Sequence, residues 1–451
     1  MFWRGVVGYL PMNIVQGLVG LFSIVVFTRL LTPADYGVYA IAFSAMSLTH
    51  TLVFSWMEAA MARFHSPQAE AGRLADHFAT LYRCWLAAAL AFPLIAGLIL
   101  TVLPISGPVK LAVAAGLAAI LFRSLLKLVQ ERRRAVGDVR GAAWLDIGQT
   151  LAGFAFGVGL ILLGLKGAAP IAGLGAAAAV VLAFVLPTEL GRGAGGRFDA
   201  AQARTYAVYG LPVALSLIFA LALATTDRFL LAYYLDDTAV GVYHAGYSLA
   251  NRTLDVIFIW LGAAGGPALI VALERGGPDA LRAAAREQAA LMVGLVFPAA
   301  VGLALVARPL ADVMVGPALR QGAAQVTPWI AMSALFAGLT TYYSHQAFTL
   351  GRRTTLLLLA MSVPAAANLG LCLVLIPRYG LPGALWATTA SYGLGLIVSL
   401  TLGRLARPLP LPLADIAKAA AASVIMGLIL IRLPAGGGVS ELGLKVGVGA
   451  L

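Results

Sequence analysis

The chain has 451 residues, of which 61% are hydrophobic and only 11% charged, with a formal net charge of +12 and a mean hydropathy of +0.91. A soluble domain carries about 25% charged residues, and a chain this long needs far more polar surface to stay dispersed. The composition excludes a cytosolic enzyme, a secreted disulfide scaffold and a disordered chain, and leaves a polytopic α-helical membrane protein, in keeping with its 50 glycines and 22 prolines.

A membrane-crossing helix takes about 20 apolar residues, because roughly 30 Å of hydrocarbon is crossed at 1.5 Å per residue. The first apolar run, 5–28, is too long for a signal-peptide core and no small-residue cleavage site follows, so it reads as the first span. In chain order the others fall at 37–60, 82–103, 109–129, 141–164, 168–189, 207–229, 239–263, 288–307, 323–349, 354–376, 382–403 and 413–432. A fourteenth begins near Gly443 and stops at Leu451. It is too short to cross a bilayer and is expected to be a truncated helix or an interfacial segment. Pro93, Pro298 and Pro364 are expected to kink their helices. Gly153/Gly157 and Gly262/Gly266 have the GxxxG spacing of helix packing faces. Cys84 and Cys372 lie far apart in apolar stretches and read as packed residues.

The charge distribution sets topology. The N-terminus and the even-numbered loops hold 20 of the 31 basic residues, and the odd-numbered loops hold 8. This bias places the N-terminus in the cytoplasm. It also accounts for most of the net charge, so nucleic acid is not expected as a partner. The run Glu131-Arg132-Arg133-Arg134 reads as a positive-inside anchor. The loops leave no room for a soluble catalytic domain. The P-loop, HExxH and GxSxG patterns are absent, and His50, His65, His77, His244 and His345 lack metal-ligand spacing.

Tyr36-Gly37-Val38-Tyr39, ending at Ser44, is echoed by Val240-Gly241-Val242-Tyr243, ending at Ser248, at an offset of 204. Pro11 precedes Gly37 by 26 residues and Pro212 precedes Gly241 by 29. Both motifs open an even-numbered span, so the repeat is parallel, as in carriers built from two bundles around a cavity. Independent helix-start chemistry is the alternative. The expected organisation is a six-helix bundle over 1–195, a second over 196–404 and an additional helix with the start of another over 405–451.

The segment Phe27-Thr28-Arg29-Leu30-Leu31-Thr32-Pro33-Ala34-Asp35-Tyr36-Gly37-Val38-Tyr39 closely resembles the end of the first helix and the start of the second in Wzx-type polysaccharide flippases. Thr226-Asp227-Arg228-Phe229, followed by Gly241-Val242-Tyr243, resembles the matching signature in that family's second half. The resemblance implies the MOP exporter fold, shared with MATE-type multidrug exporters and MurJ-type lipid II flippases. It implies transport of undecaprenyl-diphosphate-linked oligosaccharide from the cytoplasmic to the outer leaflet of a bacterial inner membrane. The product served would be O-antigen (lipopolysaccharide), capsule or exopolysaccharide. Membrane lipid and a polysaccharide polymerase or other glycan-assembly proteins would be partners, with no cofactor beyond H+ or Na+ coupling. A MATE-type cation antiporter is the runner-up. A membrane-embedded polymerase or ligase is disfavoured because no long outer loop carries catalytic polar residues. The truncated last helix departs from 14-helix members.

A charge at the bilayer centre costs about 2.5–3.5 kcal/mol on insertion scales and faces a partner or a wet cavity. Arg252 and Asp255, three residues apart in the eighth span, are expected to line the cavity, neutralising each other and leaving Arg252 donors for substrate phosphate. His50 in the second span is a candidate cationic contact or proton-coupling group. Asp146 in the fifth span, with Gln149 on its face, is a further cavity candidate, although such residues more often bridge helices. Asn368 reads the same way. Glu58, Arg123 and His345 are expected to snorkel from cytoplasmic ends. Arg29 and Asp35 at the first outer loop, with Asp227 and Arg228 opening the fourth, form the candidate gate, opposite charges latching the outer ends of the first and seventh helices.

Overall fold

The computed structural model describes residues 2–102 and 105–449, with side chains from Pro11 onward apart from those of Ala263, Ala264 and Thr354. The side chains of Arg4 and Leu10, and Leu103 at the end of the third predicted span, lie outside the described residues. The described chain is helical throughout. In order the helices are α1 (Phe2–Leu30), α2 (Pro33–Val53), α3 (Ser55–Glu70), α4 (Leu74–Val102), α5 (Gly107–Ala135), α6 (Val139–Leu162), α7 (Ala169–Arg192), α8 (Ala200–Tyr234), α9 (Asp237–Leu305), α10 (Ala307–Met314), α11 (Arg320–Leu339), α12 (Gln346–Leu350), α13 (Thr354–Tyr379), α14 (Leu381–Ala406), α15 (Leu413–Ile431) and α16 (Gly438–Gly449). The expected all-α membrane architecture is the observed one.

Among the described residues, eleven helices are long and apolar enough to cross a membrane, or up to 12 if α2 and α3, bent by 46°, form one span. The 69 residues of α9 would extend about 104 Å at 1.5 Å per residue, over three times the bilayer core. Gly277, with φ 72 and ψ −163, breaks it into two helices. The two sides of Gly277 carry the predicted spans 239–263 and 288–307. The structure also corrects the sequence reading of a loop over 264–287, which is helical on both sides of Gly277.

Backbone contacts divide the chain into two units, one of Met1–Ser23 and Ala34–Ala222, the other of Ile24–Pro33 and Leu223–Leu451. In the first unit, small residues bring helices together. A Cβ on Gly173 of α7 would meet the Gly157 nitrogen of α6 at 2.3 Å, and one on Gly175 would meet Ala119 Cβ of α5 at 2.7 Å. The Gly153/Gly157 spacing is thus a packing face. Gly116 of α5 faces the Ala42 carbonyl and Met46 of α2. Phe54 separates α2 from α3, and Trp56 Nε1 donates to the Val53 carbonyl at 3.0 Å, covering an acceptor that the break exposes.

In the second unit, α13 and α14 form a hairpin turned by Gly380 at φ 61. A π-helical turn, Thr340–Ser344, joins α11 to α12. It presents Tyr342, whose ring stacks on Phe258 at 5.7 Å and 10°. Gly262 packs beneath that ring, where a Cβ would lie 2.2 Å from Tyr342 Cδ1. The tyrosine therefore needs the glycine of the second GxxxG pair.

Candidate functional site

The second unit contains a buried polar cluster where the sequence reading expected an outer turn. Charged residues commonly mark the end of a span, and by that rule Asp227 and Arg228 belong at one. Instead α8 continues to Tyr234, and the two residues sit inside it with 0% and 4% exposure. Tyr243 Oη donates a short hydrogen bond to Asp227 Oδ2, and Thr388 Oγ1 donates to the same oxygen at 3.3 Å. Asp227 Oδ1 accepts from the Arg228 backbone at 2.8 Å. The Arg228 guanidinium donates to the Ala224 carbonyl, lies 3.9 Å from Asp227 Oδ1 and stacks 4.4 Å from the centre of the Tyr247 ring. The Gly-Val-Tyr motif thus supplies a partner to a buried carboxylate, a role that sequence alone did not disclose.

Arg29 is exposed and donates to the carbonyls of Val25 at 2.8 Å, Val313 at 2.7 Å and Met314 at 3.3 Å. A cation at the last carbonyls of α10 satisfies groups that the helix leaves open. Next to it, Thr28 Oγ1 accepts from Gly316 N at 2.9 Å. Arg29 and Asp227 form no ion pair with each other among the described residues: Arg29 is engaged on α10 and Asp227 by Tyr243. Asp35 lies in the first turn of α2, where a negative charge suits the helix dipole.

A second polar cluster lies in the first unit. His50 Nε2 is 2.9 Å from Glu58 Oε1, spanning the break at Phe54. Glu58 is thus a partner of His50 and not a snorkelling carboxylate. Asp146, 7% exposed, receives Arg134 Nη2 at 2.8 Å, so it bridges α6 to α5. Arg134 also donates to Glu131 at 2.6 Å, and Arg132 pairs with buried Glu189 of α7 at 2.7 Å. The basic run is therefore an internal tie between helices. Arg123 faces this cluster, with Tyr39, Asp146 and Glu58 as its electrostatic neighbours. Tyr39 stands six residues from the start of α2.

Arg252 and Asp255 remain on α9, but among the described residues no ion pair within 4 Å joins them. Asn251 Nδ2 donates to Asp255 Oδ2 at 2.6 Å, and Arg252 is exposed. The amide takes the direct hydrogen bond, Asp255 keeps Arg252 as its electrostatic neighbour, and the guanidinium donors of Arg252 are left without a hydrogen bond among the described residues. His345 accepts or donates at 3.3 Å to Ser399 and does not snorkel. Asn368, 0% exposed, has neither amide atom hydrogen-bonded, so it does not bridge helices through that amide. Among the described residues no group of three or more His, Cys, Asp or Glu is placed to hold a metal ion.

The model of a polysaccharide biosynthesis protein family matches residues 26–320, well over half of the chain. The chain belongs to that family. The matched region includes both Gly-Val-Tyr segments, which agrees with the resemblance carried by residues 27–39. No curated protein matches the chain. Among solved structures, the lipid II flippase MurJ in an inward closed conformation is similar at 14% identity and a TM-score of 0.76, covering 98% of this chain and 96% of that one. An inward-facing multidrug-resistance MATE transporter of the MOP superfamily is similar at 12% identity and a TM-score of 0.64, covering 87% and 94%. A MOP superfamily transporter from Pyrococcus furiosus is similar at 12% identity and a TM-score of 0.57, covering 90% and 93%. These family and fold relationships establish a MOP-type fold for this polysaccharide biosynthesis protein.

Proposed function

We propose that the chain flips undecaprenyl-diphosphate-linked oligosaccharide repeat units from the cytoplasmic to the outer leaflet of a bacterial inner membrane, for O-antigen, capsule or exopolysaccharide assembly. The observation that carries this reading is the guanidinium of Arg252, whose donors make no hydrogen bond among the described residues, on a membrane helix of a polysaccharide biosynthesis family member. A guanidinium in a membrane helix whose donors make no hydrogen bond calls for an acceptor, and a diphosphate presents paired oxygens to its planar donors. By contrast Glu58, Asp146 and Asp227 each have a basic or hydroxyl partner within the protein. That arrangement favours an anion carrier over a cation antiporter.

In this proposal two bundles alternate access to a cavity, the polyprenyl tail remains in lipid, and Arg29 serves the outer gate through its hold on α10. His50 is the group proposed for proton coupling. Transport driven by an imposed Na+ gradient at constant pH would assign the coupling to Na+ instead. Polymerase and other glycan-assembly proteins are the proposed partners.

The test is complementation of a flippase-deleted strain. Deletion should trap lipid-linked repeat units on the cytoplasmic leaflet. The wild-type chain should release them, and Arg252→Ala should insert normally yet fail. Full complementation by Arg252→Ala would remove that residue from the site. Drug resistance conferred by the wild type, with no effect on repeat units, would replace the flippase with an antiporter.

A further inference from the structure

We propose that Arg123 is a second contact for the diphosphate of the lipid carrier, a reading that rests on the flippase function above. The two Gly-Val-Tyr tyrosines expose a difference between the units. Each has an arginine as electrostatic neighbour within its own unit: Arg123 for Tyr39 and Arg228 for Tyr243. The adjoining ring matches as well, with Tyr39 and Phe43 at 6.0 Å and Tyr243 and Tyr247 at 6.0 Å. Arg228 has a backbone carbonyl, a carboxylate and an aromatic face around it, with its buried Nε lacking a hydrogen bond. Arg123 makes no hydrogen bond or ion pair among the described residues.

Position and charge explain why Arg123 is available. It lies seven residues after Gly116 on α5, hence on the same face, and Gly116 packs on Ala42 and Met46 of α2. The same helix packs along α3, which carries Glu58. Both nearby carboxylates have closer partners: Glu58 has His50 at 2.9 Å and Asp146 has Arg134 at 2.8 Å. The guanidinium is left half-buried within a membrane-spanning helix with its planar donors unspent. In a medium of low dielectric such a group is strongly drawn to an oxyanion. The chemistry it suits is a phosphate or diphosphate, and the membrane-bound source of one under the proposed function is the polyprenyl carrier.

The experiment uses the full chain in lipid nanodiscs and two probes, undecaprenyl diphosphate and undecaprenol, titrated against wild type, Arg123→Gln and Arg123→Lys. Loss of a charge-assisted contact should weaken diphosphate binding by about tenfold or more in Arg123→Gln. Arg123→Lys should be intermediate, and undecaprenol binding should be unchanged in both. Independently of any variant, undecaprenyl diphosphate should protect wild-type Arg123 from phenylglyoxal, read by peptide mass spectrometry, whereas undecaprenol should not. Equal diphosphate affinity of wild type and Arg123→Gln, equal loss of both lipids, or absence of protection would overturn the assignment. If the wild type shows no preference for the diphosphate over undecaprenol, the flippase reading fails with it. If that preference survives in Arg123→Gln, only the role of Arg123 fails.

Discussion

At Asp227 a fully buried carboxylate depends on two hydroxyl donors, Tyr243 and Thr388. Tyr243→Phe removes the shorter bond and leaves Oδ2 to Thr388 at 3.3 Å. An acceptor deprived of its partner inside a protein costs about 1–3 kcal/mol, so the variant should lower the thermal unfolding midpoint in detergent. A Tyr243→Phe midpoint equal to that of wild type would show that Thr388 and the Arg228 backbone suffice. Gly173 gives a steric counterpart. Its missing Cβ would meet Gly157 N at 2.3 Å, a backbone atom that no rotamer change can move away. Gly173→Ala should separate α6 from α7 and cost about 1–3 kcal/mol by overpacking, measured by the same unfolding. The GxxxG spacing announced that contact, because small residues four apart form a stripe on one helix face. Nothing local announced the Tyr243–Asp227 bond, whose partners lie 16 residues apart on different helices.

Helices in the first unit are joined by charges as well as by glycines. Arg132 of α5 and Glu189 of α7 are 7% and 1% exposed and 2.7 Å apart. Breaking a buried pair from one side leaves an uncompensated charge and costs about 3–5 kcal/mol. Arg132→Met should fall at the lower end, since Arg192 Nε stays 3.6 Å from Glu189. The double variant Arg132→Met/Glu189→Leu should recover most of the loss, because neither charge is then buried alone. Recovery is read as the return of the unfolding midpoint toward that of wild type, and a double variant no better than the single one would contradict the pairing argument. The sequence showed a basic run at a helix end, which is the pattern of a positive-inside anchor. It did not show that α7 returns an acid to it, because Glu189 stands 57 residues away. The break at Phe54 and the π turn at Thr340–Ser344 were equally invisible, since neither is marked by a glycine or proline at the break itself.

For the molecule as a whole, the loop charges make a topological prediction. In a chain with Cys84→Ala and Cys372→Ala, Val136→Cys between α5 and α6 should react with a membrane-impermeant thiol reagent only after the cytoplasmic side is opened. Tyr379→Cys at the end of α13 should react in intact spheroplasts. Both side chains are exposed, at 55% and 53%, so the pattern of labelling reports sidedness, and its reverse would invert the topology. The sequence alone determined the membrane class, the run of apolar helices and the family-bearing segment at residues 27–39. Each of these is a one-dimensional property: hydrophobic length, the position of Lys and Arg in loops, and a contiguous motif. Tertiary structure decided which charges are spent. Arg29 meets Val313 across 284 residues, and Thr388 meets Asp227 across 161. A buried charge takes the nearest well-oriented partner, and that partner is chosen by which helix faces pack together. Asp255, a neighbour of Arg252 on one helix, takes its direct hydrogen bond from Asn251. Asp227, placed by sequence at an outer turn, became the centre of a buried cluster because α9 and α14 brought hydroxyl groups to it.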